Sequence, residues 1–246
     1  MEVTLLPVNE KEVIDKLYLA CRTCYNAGTP NSMYRLLLEE QYAGIDRKDA
    51  KLKLLKHVIN SGHHSTLEHQ QLTFLISGVS RALTNQLIRH RICNISQQSQ
   101  RYVEFKDGIF EYVTPSKIKN NEEALKVFED TMGTLSEAYK KLVDLEMPAE
   151  DARAVLPNAC TTNLTWSCNL RELMHICNER LCTCAQQEIR QLFMEIKKKT
   201  VAQLPFMNPY LVPKCEMLGY CNEDSKRSCG RKYTKDVVIG SLEVYS

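Results

Sequence analysis

Residues 71–91 read QLTFLISGVSRALTNQLIRHR, and the change of hydrophobic period inside this stretch decides the fold class. Positions 71–77 alternate and are rich in β-formers, which predicts a strand. From Arg81 the apolar spacing becomes helical and predicts a helix over 81–89. Upstream, 10–24 has helical spacing with Val13, Leu17, Leu19 and Ala20 on its apolar side. Helices are also expected over 31–41 and over 49–59, the latter carrying Leu52, Leu55 and Val58 and opening at Asp49 as a cap. Downstream, 107–114 (DGIFEYVT) opens with an Asp-Gly turn signal and reads as a strand or hairpin arm. The clearest long amphipathic helix covers 122–145, and Pro148 introduces a short helix over 149–156. A strand over 161–167 and helices over 170–178 and 185–204 follow. With no repeat, low-complexity segment or linker, the expectation is one α+β domain over 1–246. It is helix-rich with a small mixed or antiparallel sheet, and 206–246 forms an irregular, cysteine-containing tail.

The bulk composition narrows the function. A chain of 246 residues can bury a full-sized core. Its 43% hydrophobic and 25% charged content is that of a water-soluble globular protein. A net charge of +2 is too small for a surface that coats nucleic acid or membrane, so any bound anion must be held by a local cluster of arginines. The first residues lack a basic region followed by an apolar stretch, and no run of 18 apolar residues occurs, which points to the cytoplasm. Eleven cysteines, an odd number, favour reduced thiols over a disulfide framework.

Four segments carry chemistry. Residues 86–102, QLIRHRICNISQQSQRY, place consecutive Arg89, His90 and Arg91 before a polar stretch that ends in Arg101. A helix running to about Arg91 would put Gln86, Arg89 and His90 on one face. A polar loop beyond it, with an arginine at each end, suits a phosphorylated ligand, because guanidinium groups bind phosphate oxygens bidentately. A solvated basic turn is the plainer reading. No G-x-G-x-x-G and no G-x-x-x-x-G-K-[ST] is present, so side chains must do the anchoring. The second segment, GHHSTLEH at 62–69, tempts toward a metal, but His64 and His69 are five apart and diverge on a helix. Ser65 and Glu68 instead fit a capping box.

The third segment, 150–180, places Glu150 and Arg153 at i, i+3. Asn169, Arg171, His175 and Arg180 follow on one expected helix, in which Asn169 and Arg180 share a stripe roughly 16 Å long. The cysteines form the fourth group, with Cys21 and Cys24 in C-x-x-C, Cys182 and Cys184 in C-x-C, and Cys215, Cys221 and Cys229 in the tail. A structural zinc site from the tail cysteines is conceivable, but the spacings do not repeat a paired C-x-x-C pattern, so the expectation is packed thiols and no metal.

Arg89-His90-Arg91, followed after seven residues by Ser99 and Arg101, resembles the signature of the flavin-dependent thymidylate synthases. GHHSTLEH is similar to that family's histidine-rich segment, and GVSRALTNQLIRHR to its strand-to-helix lead-in. Glu150-x-x-Arg153-x-Val-Leu-Pro157 and Asn169-x-Arg171 with Arg180 resemble its C-terminal ligand segments. The likeness spans about residues 23–190 in order. Asn94, Ser96 and Gln97 stand where many members have serine, asparagine and glutamate.

The resemblance implies a homotetramer with active sites at subunit interfaces and FAD as cofactor. It implies reductive methylation of dUMP with 5,10-methylenetetrahydrofolate as carbon donor and NADPH as reductant. Carried over by position, Ser65, Arg89, His90, Arg91, Gln97, Asn169, Leu170, Arg171 and His175 would contact FAD. Gln86, Leu87, Ile88, Arg89, Gln97, Gln98, Ser99, Gln100, Arg101, Arg153 and Arg180 would line the dUMP site. Arg180 would be the catalytic group, stabilising the uracil anion, and His63 would lie on the face approached by folate and NADPH. Ser99 reads as a phosphate ligand because nothing in the sequence sets a general base beside it. Cys93 lies outside the signature and reads as structural. Two rivals fit parts of the pattern. A flavoprotein acting on uracil in RNA is disfavoured by the modest charge. A non-catalytic nucleotide- or metal-binding regulator would use the basic loop and the cysteines.

Overall fold

Apolar alternation builds a four-stranded sheet inside a chain that is otherwise mostly helix. The computed structural model describes residues 1–105 and 108–243, the last four by their backbone alone. In chain order the elements are β1 (Glu2–Leu5), α1 (Glu10–Tyr25), α2 (Pro30–Tyr42), α3 (Lys48–Asn60), β2 (Gln71–Ser80), α4 (Arg81–Leu87) and β3 (Cys93–Gln97). There follow α5 (Ser116–Lys119), α6 (Glu122–Asp144), α7 (Ala149–Ala152), β4 (Thr161–Asn169), α8 (Leu170–Arg180), α9 (Gln187–Gln203), α10 (Lys214–Leu218) and α11 (Lys235–Glu243). Short 3-10 turns cover His64–His69, Arg153–Val155 and Pro205–Met207.

The sheet order is β1-β2-β4-β3, so β1 and β3 are its edges. Leu6 N–H donates to Thr73 O, while Gly78 lies beside Met1, which makes β1 and β2 antiparallel. Leu170 N–H donates to Gln70 O and Arg81 N–H to Cys160 O, which makes β2 and β4 antiparallel as well. Alternation carries one face inward: Leu72, Phe74 and Ile76 are buried on β2, and Leu164, Trp166 and Cys168 on β4. The fold is therefore helix-rich α+β with a small antiparallel sheet, as expected. β2 continues past residue 77 to Ser80, and within it Gly78 takes a φ of 68°, which a side-chain-bearing residue rarely adopts.

Contacts divide the chain into two compact units, Met1–Thr4 with Leu75–Trp166, and Leu5–Phe74 with Ser167–Ser246. In the first, α6 packs against α5 and α7. Its core centres on Phe110, Met132 and Cys160, with Phe105, Phe128, Leu135 and Leu156 packed around them. Phe105 meets Phe110 edge-on at 6.2 Å, and Tyr112 meets Phe128 at 5.6 Å. Gly108, at φ 72°, lies so close to Lys140 that a Cβ there would collide with it. In the second unit α1 packs on α2 and α3, and α8 packs on α9 and α10. Buried Lys51 of α3 pairs with Asp15 of α1 at 2.7 Å.

Several local expectations are corrected. Asp49 lies inside the first turn of α3, whose cap position is Arg47. The Asp-Gly turn expected at 107 falls partly outside the described residues. Beyond it, 108–114 forms a single antiparallel bridge between Tyr112 and Cys160 in place of a strand. The tail, expected to be irregular, contains α10 and α11.

Candidate functional site

The signature residues of the first unit sit where α4 ends. Ser80 caps α4 by accepting from Leu83 N–H at 3.0 Å, and the helix stops at Leu87, short of Arg91. Tighter turns follow, with Arg89 N–H donating to Gln86 O and His90 N–H to Leu87 O. The shared helical face expected for Gln86, Arg89 and His90 is therefore not formed. A turn instead exposes Arg89 and Arg91 on either side of buried His90. Among the described residues neither arginine has an ion-pair partner, so this turn presents two uncompensated guanidinium groups. Leu87 is fully buried and can meet a ligand only through its backbone, whereas Ile88 is half exposed.

The polar stretch after Arg91 is a strand, not a loop. β3 is an edge strand with no fully buried side chain, so it needs no apolar alternation. Gln97 points its amide at the hydroxyls of Thr84 and Thr162, both at 3.3 Å. Gln98 accepts from Asn163 Nδ2 at 2.9 Å through its side chain, and from Arg81 Nη2 at 3.0 Å through its backbone oxygen. Burial lowers the Arg81 pKa, with Arg153 adding to the effect. Ser99 Oγ accepts from Arg101 N–H at 3.1 Å, closing a turn that turns the chain at Arg101. Gln100 donates to Cys160 Sγ at 3.7 Å, and burial pushes that thiol up to about 11.

Arg101 is held by Glu150 of α7, with Nε at 2.9 Å and Nη2 at 2.8 Å from Oε2. Arg153 Nε donates to the backbone oxygen of the same glutamate at 3.1 Å. The structure thus brings Ser99, Arg101, Glu150 and Arg153 together. Arg81, Asn163 and Glu150 as an anchor were not read as site residues from the sequence. Only pairing between elements distant in sequence reveals them.

In the second unit the histidine-rich segment is a 3-10 turn that packs on α8. Ser65 is exposed and caps nothing, and Glu68 forms an ion pair with Arg171. The expected capping box is absent because the turn's cap position is His63, which puts Ser65 inside the turn, and Glu68 is taken by Arg171. His64 Nε2 lies 3.1 Å from Ile59 O, which engages it structurally, while His63 and His69 are exposed. Asn169 is the cap of α8, not a residue within it, and accepts from Glu172 N–H at 2.8 Å. Leu170 is fully buried, Arg171 and His175 are exposed, and Arg180 is the half-buried last residue of the helix. Burial raises the Glu172 pKa, and His175 partly offsets this. Arg180 also lines a cavity shared with Cys182 and Cys184.

A family model described as "Thymidylate synthase complementing protein" matches residues 8–206. The flavin-dependent thymidylate synthase of Nitratidesulfovibrio vulgaris is 39% identical over 228 residues, covering 89% of this chain and 91% of the relative. That of Geobacter sulfurreducens is 39% identical over 214 residues, covering 87% of each. Among solved structures, the UMP/dUMP methylase PolB from Streptomyces cacaoi, bound with 5-Br dUMP, aligns with a TM-score of 0.65 at 20% identity. The alignment covers 84% of this chain and 93% of that one, a likeness of fold. Matched over most of its length by the family model and by these relatives, the chain belongs to the flavin-dependent thymidylate synthase family.

Proposed function

We propose that this protein makes dTMP from dUMP, using 5,10-methylenetetrahydrofolate as carbon donor and NADPH as reductant, with FAD as its cofactor. In balance, dUMP, methylenetetrahydrofolate, NADPH and a proton give dTMP, tetrahydrofolate and NADP+. The observation that carries this reading is the turn that exposes Arg89 and Arg91 around buried His90, in a chain of this family.

Two exposed guanidinium groups without ion-pair partners among the described residues fit an anionic, phosphate-bearing cofactor. Arg89, His90, Arg91, Gln97, Ser65, Asn169, Arg171 and His175 would hold FAD, together with the backbone of Leu170. When bound, FAD supplies the hydride that reduces the transferred carbon. dUMP would be held by Gln86, the backbone of Leu87, Ile88, Arg89 and the 97–101 segment, with Arg153 and Arg180. In this scheme Arg101, Arg153 and the Ser99 turn grip the phosphate and so fix the position of the base. Arg180 stabilises negative charge on the uracil ring as C5 takes up carbon. Exposed His63 stands where folate and NADPH approach.

Active sites shared between subunits of a homotetramer fit the apolar groups left uncovered. Ile88, Ile92 and Tyr102 are exposed beside the signature, and α2 exposes Tyr34, Leu36 and Tyr42. A reducing compartment, the cytoplasm, fits eleven free cysteines. No helix among the described residues is long and apolar enough to cross a membrane.

A visible spectrum of the purified protein tests the proposal, followed by anaerobic addition of NADPH and then dUMP. A yellow protein that bleaches with NADPH, faster when dUMP is present, is the expected result. A colourless protein that cannot be reconstituted with FAD would overturn it.

A further inference from the structure

We infer that Cys182 and Cys184, with Glu223 and at least one of Cys215, Cys221 and Cys229, form a binding site for a thiophilic divalent metal, zinc by the chemistry of its donors. Cys182 and Cys184 lie in the turn between α8 and α9, and their sulfurs and a Glu223 carboxylate oxygen all fall within 4.8 Å of one another. A tetrahedral zinc with Zn–S bonds of about 2.3 Å separates its sulfurs by about 3.8 Å, so small rotamer adjustments close the set. The three remaining tail cysteines line the same cavity of about 210 Å³. Three thiolates and a carboxylate around a doubly charged ion leave an excess of negative charge. Arg227, which also pairs with Asp224 at 3.7 Å, and Arg231 line the cavity and offset part of that charge.

A second, independent observation points the same way. Among described residues 214–239 the only buried apolar side chain is Cys221, so hydrophobic burial does not hold this segment down. Its fixed points converge on the cysteines. Cys221 N–H donates to Tyr233 O at 2.7 Å, Lys235 N–H donates to Cys221 O at 3.0 Å, and Cys184 Sγ contacts Arg227 O at 3.4 Å. Short segments without a core are ordinarily fastened by disulfides or a metal, and every cysteine here is a free thiol. The site departs from the expectation of packed thiols because the C-x-C pair is completed from a distant tail, not from a second pair. Each thiol that binds releases its proton to solvent.

The test is the zinc content of the full-length protein after gel filtration, with cobalt substitution of the same chain. About one zinc per chain is expected, together with an intense sulfur-to-cobalt charge-transfer band when cobalt replaces it. Cys182→Ser with Cys184→Ser should abolish both, and stripping zinc from the wild-type chain should expose the tail to protease beyond Pro213. The wild-type measurements stand even if the double variant does not fold. Wild-type protein without zinc and without a cobalt–sulfur band would overturn the inference. Titration of fewer than eleven thiols in the denatured, unreduced, metal-free chain would identify a disulfide in its place.

Discussion

Arg101 meets one carboxylate oxygen of Glu150 twice, through Nε at 2.9 Å and Nη2 at 2.8 Å, while the backbone oxygen of the same glutamate receives Arg153 Nε. One residue therefore sets the direction of two guanidinium groups proposed to grip the phosphate. Both partners of the ion pair are about half exposed, so the pair contributes at most about 1 kcal/mol to stability. Its consequence lies in orientation. Glu150→Gln should leave thermal stability nearly unchanged and weaken dUMP binding roughly 3- to 10-fold. Arg153→Ala should weaken it roughly 10- to 100-fold, the loss of one charge-assisted hydrogen bond. Calorimetric titration with dUMP checks both, and an unchanged dissociation constant for Arg153→Ala removes that residue from the phosphate site.

Arg180 closes α8, where its charge also complements the helix terminus. If it stabilises charge on the uracil, Arg180→Ala should lose about 10²- to 10³-fold in turnover while the flavin stays bound. Turnover is to be normalised to flavin content measured on the same sample. Near-normal methylation by this variant would remove its activating role.

How far the sequence reveals this molecule depends on what each element answers to. α1, α6 and α9 obey a local rule, apolar spacing over several turns, and their ends lie within about two residues of those read from the sequence. β3 obeys no such rule. It is an edge strand defined by hydrogen bonds to β4, and its polar sequence 93–97 reads as a loop. Glu68 shows the same limit, since its spacing from Ser65 suggests a cap but Arg171, 103 residues away, takes it. The candidate ligand residues came from the ordered signature segments, whereas the anchors that aim them, Arg81, Asn163 and Glu150, depend on tertiary pairing. The cysteines of the tail are informative only once the turn after α8 brings Cys182 and Cys184 beside Glu223.

Glu172 carries a stability signature in pH. Burial raises its pKa above the ordinary carboxylate value, with His175 opposing. The folded state therefore holds this proton more tightly than the unfolded chain. Stability from this group is greatest below the unfolded pKa of about 4.3 and falls as pH rises toward the raised folded value. Above that value the loss is constant. Glu172→Gln keeps the shape and removes the titration, so it should be more stable than the wild type at pH 7 and equal to it near pH 4. Urea unfolding at a series of pH values reads this out, and an equal difference at every pH would refute it.

Lys51 is a buried cation that ties α3 to its neighbours, beside the more exposed pair of Lys48 with Glu10 of α1. The Lys51 Nζ is 2.7 Å from Asp15 of α1, 3.7 Å from Glu40 of α2 and 5.8 Å from the centre of the Tyr18 ring. Taking a lysine from water into such a site is costly, and the two carboxylates offset that cost. Lys51→Met retains the apolar stem but leaves Asp15 without a cation, while Glu40 keeps Arg47 at 3.2 Å. Both carboxylates keep some contact with solvent, so the expected loss is about 2–3 kcal/mol, below the roughly 3–5 kcal/mol typical of a fully buried broken pair. Adding Asp15→Asn to Lys51→Met removes the uncompensated charge and should recover most of the loss. Chemical denaturation of the three proteins decides between electrostatics and packing. If the double variant is no more stable than Lys51→Met alone, the lysine acts through its stem, and its ion pair with Asp15 contributes little.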